Sequence, residues 1–123
     1  MAETMIGIVA CSGASNTGHY SDIVARKLVK SGKARMLCLA RFAVDEDFAE
    51  KSKLEFTDLV VLDGCPINCA EKILQQRGIA QFQHINTTDF GIIKGQTPVT
   101  EQKVDEIVEH IRSSAAIKMS PEQ

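Results

Sequence analysis

The sequence has 123 residues, of which 44% are hydrophobic and 24% are charged. This length and composition suit a single soluble domain, because most domains contain about 100–150 residues. The formal net charge is −2, and the 14 Lys and Arg residues are scattered along the chain. Nucleic acids and anionic membranes select clustered basic residues, so neither is expected as a partner.

The expected compartment decides how the cysteines are interpreted. No apolar run approaches the roughly 20 residues that span a bilayer, and residues 1–4 are acidic rather than basic before the first apolar run. The chain is therefore expected to stay in the cytoplasm, where thiols are kept reduced. The four cysteines are then metal ligands, nucleophiles or core residues rather than disulfide partners.

The first half of the chain predicts two strand–helix units. Residues 5–10 form a short apolar run typical of a buried strand, and apolar residues recur at helical spacing over 19–30. A second strand is predicted over 34–40, followed by a short helix with an acidic first turn over 45–51.

The second half repeats the pattern with clearer end signals. Residues 59–62 are the most apolar and β-branched strand, and a helix is predicted over 66–76, with Pro66 at its first position. The alternating segment 79–85 predicts a fourth strand at the sheet edge. The last helix is predicted to start near Thr100, and its apolar stripe contains Val104, Ile107, Val108 and Ile111.

Strands that alternate with helices predict an α/β fold. We expect a single three-layer αβα domain over residues 1–113, with a mostly parallel four-stranded sheet of order 2-1-3-4. Residues 114–123 are expected to form a frayed C-terminal tail. In such sheets ligands bind beyond the carboxyl ends of the strands where the strand order reverses, here between strands 1 and 3.

The four cysteines are predicted to converge at these carboxyl ends of the strands. Cys11 closes strand 1, Cys38 lies near the end of strand 2, and Cys65 follows strand 3. Adjacent strands are about 4.8 Å apart, so the order 2-1-3 brings these thiols near one another. A helix starting near Pro66 would place Cys69 on the same face as Cys65, where the helix N-terminus favours anionic sulfur.

This arrangement predicts a metal site made of thiolates. Four thiolates suit tetrahedral zinc or an iron–sulfur cluster, and the spacing does not choose between them. Cys65 and Cys69 have the clearest ligand pattern, whereas Cys38, between Leu37 and Leu39, also suits a small apolar position in the core. The metal position is either closed or, with three cysteines and water, open for chemistry.

A different functional class uses the same residues. Cys65, beside a helix N-terminus, could act as the nucleophile of a thiol redox or metal-assisted enzyme, with Cys69 or Cys11 as the resolving thiol. Whether the protein is an enzyme therefore stays open. In either case Ser12 or Asn16 is expected to hydrogen-bond to sulfur.

Residues 63–70 have the sequence Asp-Gly-Cys-Pro-Ile-Asn-Cys-Ala. This motif closely resembles the DGC domain family, which is named for that tripeptide and whose members are described as candidate zinc-binding proteins with four cysteines. Residues 11–16, 36–40 and 89–92 are similar to the family's opening loop, its second strand and its late Asp-x-Gly stretch. The resemblance implies a small α/β domain without a defined reaction. It also implies a zinc site at Cys11, Cys38, Cys65 and Cys69.

Overall fold

The computed structural model describes residues 6–11, 15–30, 34–56 and 58–113. Ser12 and the predicted tail, residues 114–123, lie outside them. The strands are β1 (Ile6–Ala10), β2 (Ala34–Leu37), β3 (Asp58–Asp63) and β4 (Gln83–Asn86). The α-helices are α1 (Asn16–Lys30), α2 (Leu39–Val44), α3 (Glu46–Glu55), α4 (Cys69–Gln76) and α5 (Glu101–Arg112), and one 3₁₀ turn spans Thr87–Phe90.

The four strands form one parallel sheet of order β2-β1-β3-β4, which confirms the predicted topology. In the register, Val9 pairs with Leu37 and Ala10 pairs with Leu62. Asp63, the last residue of β3, pairs with Asn86, the last residue of β4. The carboxyl ends of all four strands therefore meet at one edge of the sheet, which we call the carboxyl edge.

Each face of the sheet is covered by its own apolar layer, which confirms the three-layer architecture. Ile8 and Val60 face α1 and α5, while Val9 and Val61 face the side of α2, α3 and α4. All four are fully buried, as expected for central parallel strands covered on both faces. This rigid sheet holds the loops of the carboxyl edge in place.

The segment after β2 differs from the prediction. The strand ends at Leu37 rather than Ala40, because the Cys38 carbonyl accepts from the N–H groups of Arg41 and Phe42 and starts α2. The pattern of apolar residues over 36–39 resembles strand and helix equally, so α2 was not predicted. Asp45 then ends α2 and caps α3, accepting a hydrogen bond from the Phe48 N–H at 3.0 Å.

Two other boundaries are set by capping. Helix α1 begins at Asn16, three residues before the predicted start, because the Ser15 hydroxyl accepts from the Gly18 N–H at 3.2 Å. Strand β4 is shorter than the predicted segment 79–85, since the Ile79 N–H donates to the Leu74 carbonyl and belongs to the end of α4.

Helix α4 begins at Cys69, whereas the sequence predicts a start near Pro66. Residues 65–68 form a turn, closed by a hydrogen bond from the Asn68 N–H to the Cys65 carbonyl at 3.2 Å. Asn68 is the N-cap and has left-handed backbone angles, φ 57° and ψ 52°. The prediction that Cys65 and Cys69 share one face of a first helical turn is therefore wrong.

Within the part of the chain that the structure describes, none of the helices has the length and apolar character needed to cross a bilayer.

Candidate functional site

The four predicted ligands all lie at the carboxyl edge. Cys11 directly follows β1, Cys38 directly follows β2, and Cys65 lies two residues beyond the end of β3. Cys69 is the first residue of α4. All four are free thiols; Cys11 and Cys65 are half-buried, whereas Cys38 and Cys69 are exposed. The alternative interpretation, that Cys38 fills an apolar position in the core, is therefore wrong.

Cys11 is in direct contact with the loop that carries Cys65. Its N–H donates to the Leu62 carbonyl at 2.9 Å, which continues the pairing of β1 with β3. Its sulfur accepts a hydrogen bond from the Gly64 N–H at 3.1 Å and lies 3.8 Å from the Ser21 hydroxyl. The Cys11 thiol thus touches the residue immediately before Cys65.

Gly64 permits this contact because its Cα packs on the backbone of α1. A Cβ atom at position 64 would lie 2.6 Å from the Gly18 nitrogen and 2.7 Å from the Thr17 carbonyl oxygen. Backbone atoms cannot yield as a flexible side chain would, so only glycine fits. The first turn of α1 is consequently pressed against the β3–α4 loop, with the Gly64 N–H directed at the Cys11 sulfur.

Asp63 caps α4 from within the sheet. Its side chain is almost completely buried, and Oδ1 accepts from the Ala70 N–H at 2.8 Å while Oδ2 accepts from the Glu71 N–H at 3.1 Å. A carboxylate at this position satisfies N–H groups that a helix start leaves unpaired. Asp63 therefore fixes the start of α4, and with it Cys69, to the end of β3.

His84, for which sequence reasoning found no partner, completes the Asp63 cluster. Its Nε2 lies 2.8 Å from Asp63 Oδ2, and its Nδ1 lies 3.8 Å from Glu71 Oε2. Since an ionised carboxylate only accepts hydrogen bonds, Nε2 is the protonated nitrogen of this pair. The signal that could have identified His84 is its place near the carboxyl end of the strand beside Asp63.

Two asparagines hold the turn between Cys65 and α4. Asn86 Nδ2 donates to the Cys65 carbonyl and to Asn68 Oδ1, both at 2.7 Å. Among the described residues, Asn68 is the only non-glycine residue with positive φ. Sequence reasoning missed both asparagines, because the contact joins the β3–α4 loop to the end of β4, 18 residues further along the chain.

Asn16, expected to hydrogen-bond to sulfur, braces a different loop. Its Nδ2 donates to the carbonyls of Ile93 at 3.1 Å and Thr97 at 2.7 Å. Its Oδ1 accepts from the Gly95 N–H at 2.7 Å. The Asn16 amide is therefore occupied by the loop before α5, and the prediction of a sulfur contact is wrong for this residue.

The metal-ligating side chains that the structure describes do not surround a common point. Within residues 6–11, 15–30, 34–56 and 58–113, no group of three or more His, Cys, Asp or Glu side chains is placed so as to hold a metal ion. The chemistry of the four thiols fits zinc, which favours sulfur ligands and four-coordinate geometry. The structure therefore places four free thiols at a common edge, without a closed coordination sphere among the described residues.

The architecture and the cysteine loops define a three-layer α/β domain whose thiols lie at the carboxyl edge of a parallel sheet. The family model described as "DGC domain" matches residues 7–111. The chain therefore belongs to the DGC domain family.

A curated relative extends this comparison. The chain is 26% identical over 87 residues to the anaerobic and virulence modulator AnvM of Pseudomonas aeruginosa. The aligned segment covers 71% of this chain and 66% of AnvM, slightly less than two thirds of that relative. No solved structure matches the chain.

Proposed function

We propose that this domain binds one zinc ion in the cytoplasm through the thiolates of Cys11, Cys38, Cys65 and Cys69. The observation that carries the proposal is the hydrogen bond from the Gly64 N–H to the Cys11 sulfur at 3.1 Å. It joins the ligand after β1 to the loop that holds Cys65, although 53 residues separate the bonded pair. Hydrogen bonds from backbone N–H groups to sulfur are a common outer layer of thiolate sites.

The two exposed thiols are the ligands that would complete the site. The Cys38 side chain makes no capping hydrogen bond to α2, and Cys69 lies in the first turn of α4. Because neither side chain is packed in the core, each can turn towards the half-buried pair without opening an apolar contact. A closed site of four cysteines supplies structural cross-linking of the loops rather than a reactive metal position.

The helix N-termini at the carboxyl edge favour the anionic form of the thiols. The N-termini of α1 and α4 both point to the Cys11–Cys65 region, since Gly64 packs on Thr17 and Gly18 while Cys69 opens α4. Helix N-termini carry partial positive charge, which stabilises nearby anions, although the Ala70 and Glu71 N–H groups of α4 are already bonded to Asp63. The same structural features thus hold the loops and favour thiolate ligands.

The direct test combines elemental analysis with thiol titration. Protein purified without added metal is expected to contain about one zinc per chain and four protected thiols, which become reactive when a chelator removes the metal. Replacement of any single ligand, for example Cys65→Ser, should weaken zinc binding strongly. His19→Ala is the matched control, because His19 is an exposed residue of the first turn of α1 and no proposed ligand.

Two results would overturn the zinc proposal. Metal-free protein with four freely reactive thiols, unable to take up zinc at micromolar concentration, would refute the site altogether. Brown protein from anaerobic purification, with stoichiometric iron and sulfide, would replace zinc with an iron–sulfur cluster on the same cysteines.

A thiol redox activity is a second candidate, favoured by the exposure of Cys69 at the start of α4. In this proposal the candidate nucleophile is Cys69 rather than Cys65, because Cys69 and not Cys65 lies at the helix N-terminus. Reaction of Cys69 with glutathione disulfide would form a mixed disulfide and release reduced glutathione; a second thiol would then displace the remaining glutathione. Mass spectrometry of metal-free protein should show this adduct lost in Cys69→Ser and kept in Cys38→Ser.

A further inference from the structure

We propose that Asn86 is a positioning residue. By holding the turn of residues 65–68, it sets the affinity of the thiolate site for zinc. The inference rests on the proposed zinc site, because it assigns Asn86 a role in how tightly that site binds its metal. Asn86 lies at the end of β4, and its side chain reaches across to the loop after β3.

Each hydrogen-bonding group of the Asn86 side-chain amide has a partner. Nδ2 donates both of its hydrogens, one to the Cys65 carbonyl and one to Asn68 Oδ1, each at 2.7 Å. Oδ1 accepts from the Thr88 N–H at 3.0 Å and from the Thr88 hydroxyl at 2.5 Å. An amide has two donor hydrogens and two acceptor lone pairs, so all four are satisfied. The orientation of the amide, with nitrogen towards the cysteine loop, is therefore determined.

Asn86 is itself held on two sides. Its backbone is at the end of the ladder, where it pairs with Asp63 of β3. The next residue, Thr87, is completely buried, and its hydroxyl donates to the Thr17 carbonyl at 3.1 Å. The Thr17 peptide is also the group on which Gly64 packs. Asn86 therefore anchors the cysteine loop to the end of β4, whose position is fixed by its pairing with β3.

The loop needs such support because of its backbone. Asn68 adopts left-handed angles, a region that residues other than glycine seldom occupy and that asparagine tolerates better than most. The contact from Asn86 to Asn68 Oδ1, together with the bond from the Asn68 N–H to the Cys65 carbonyl at 3.2 Å, stabilises this conformation. The peptide after Cys65 and the residue before Cys69 are thus tied to the same amide group.

Asn86→Asp tests the inference with little change of shape. An ionised aspartate has no donor hydrogen, so its carboxylate would repel the Cys65 carbonyl, and the Asn68 amide would have to turn to bond with it. We expect the zinc Kd to rise by about 10–100-fold, the loss typical when a residue that orients ligands is replaced. The Kd is measured by competition with a chromogenic chelator at constant pH.

Asn16→Asp is the matched control. Asn16 also braces a loop near the start of α1 through three side-chain hydrogen bonds, and the groups it bonds belong to Ile93, Gly95 and Thr97 rather than to a cysteine loop. It should lower the free energy of unfolding and leave the zinc Kd within about 3-fold of the original. Cobalt substitution adds a spectroscopic readout: the ligand-field bands of tetrahedral thiolate coordination should shift or weaken in Asn86→Asp and not in Asn16→Asp.

The outcomes separate this inference from the proposed function. Zinc binding by the unchanged protein together with an unaltered Kd in Asn86→Asp overturns the role of Asn86 alone. If Asn86→Asp does not fold, Asn68→Gly replaces it, because glycine tolerates positive φ but removes the Oδ1 acceptor; it should raise the Kd several-fold, and an unchanged Kd overturns the role.

If the unchanged protein binds no zinc, the proposed function fails, and hydrogen exchange of metal-free protein decides the positioning role. The Asn68 amide should then exchange at least 10-fold faster in Asn86→Asp and at the original rate in Asn16→Asp. Equal exchange in both variants overturns the role of Asn86.

Discussion

The two loops that follow β2 and β3 both bring a cysteine to the carboxyl edge, but they are held in different ways. After β3, the side chains of Asp63 and Asn86 hydrogen-bond to the loop and to the start of α4. After β2, Cys38 caps α2 through its backbone carbonyl, without a side-chain hydrogen bond, and is exposed.

This difference separates a preorganised half of the site from an adjustable half. A side chain that is buried and hydrogen-bonded has already lost its conformational freedom before a ligand arrives, whereas an exposed one loses it on binding. We therefore expect Cys11 and the β3–α4 loop to define where a metal binds. Cys38 would move to complete the site.

Gly64→Ala should break the preorganised half most severely. The new Cβ would lie 2.6 Å from the Gly18 nitrogen, so α1 and the β3–α4 loop would have to separate. We expect a loss of about 3 kcal/mol in the free energy of unfolding, at the upper end of overpacking effects, measured by urea denaturation. Gly91→Ala is the control, because a Cβ there meets nothing within 4 Å and only the positive φ of 78° opposes it. Equal losses in the two variants would contradict the packing explanation.

Asp63→Asn should be the next largest change. The amide NH₂ would replace either Oδ1, where it would face the Ala70 N–H, or Oδ2, where it would face the Glu71 N–H, so at least one hydrogen bond of the α4 cap would be lost in either orientation. We expect about 2 kcal/mol of destabilisation, since hydrogen bonds to charged groups contribute about 1.5–3 kcal/mol. Urea denaturation gives the value, and hydrogen exchange at Ala70 and Glu71 shows whether the first turn of α4 has opened. Unchanged protection of both amides would refute the capping role.

Cys38→Ser should leave the metal-free protein almost unchanged. The side chain is exposed and packs in neither apolar layer, so we expect a change within about 0.5 kcal/mol in the free energy of unfolding. The stabilisation that zinc adds to the unchanged protein should nevertheless be largely absent from this variant, in denaturation curves recorded with and without the metal. Full zinc stabilisation of Cys38→Ser would remove Cys38 from the ligand set.

The smallest effect concerns Asp45, the half-buried cap of α3, which can be compared with Asp63, the buried cap of α4. The hydrogen bond from Arg41, followed by that from the Phe48 N–H, lowers the pKa of Asp45 below its ordinary value. The resulting stabilisation is present above the pKa of an unfolded aspartate, about 3.9, and is lost as the pH falls through the lower folded value. Asp45→Asn should remove this contribution, so the stability difference between the two proteins should shrink from pH 6 towards pH 3. A constant difference over that range would contradict the assignment.

The sequence predicted the two central strands well because burial on both faces produces continuous apolar runs, as in Ile6–Ala10 and Asp58–Asp63. It also predicted the strand order, since parallel strands joined by helices permit few right-handed arrangements. The boundaries that it missed depend on capping. The carbonyl of Cys38 starts α2, the hydroxyl of Ser15 starts α1, and Asp63 starts α4 from another element of the fold.

The amino-acid sequence by itself determined the fold class, the order of the strands and the edge at which the four cysteines lie, because these follow from hydrophobic periodicity and from the chirality of the connections. Tertiary structure alone decided which of those cysteines are braced. Asn86 contacts Cys65 and Asn68, and His84 contacts Asp63, only because β4 lies beside β3 in a specific register. Such contacts depend on the distance and orientation of groups far apart in the chain, and no local pattern encodes them.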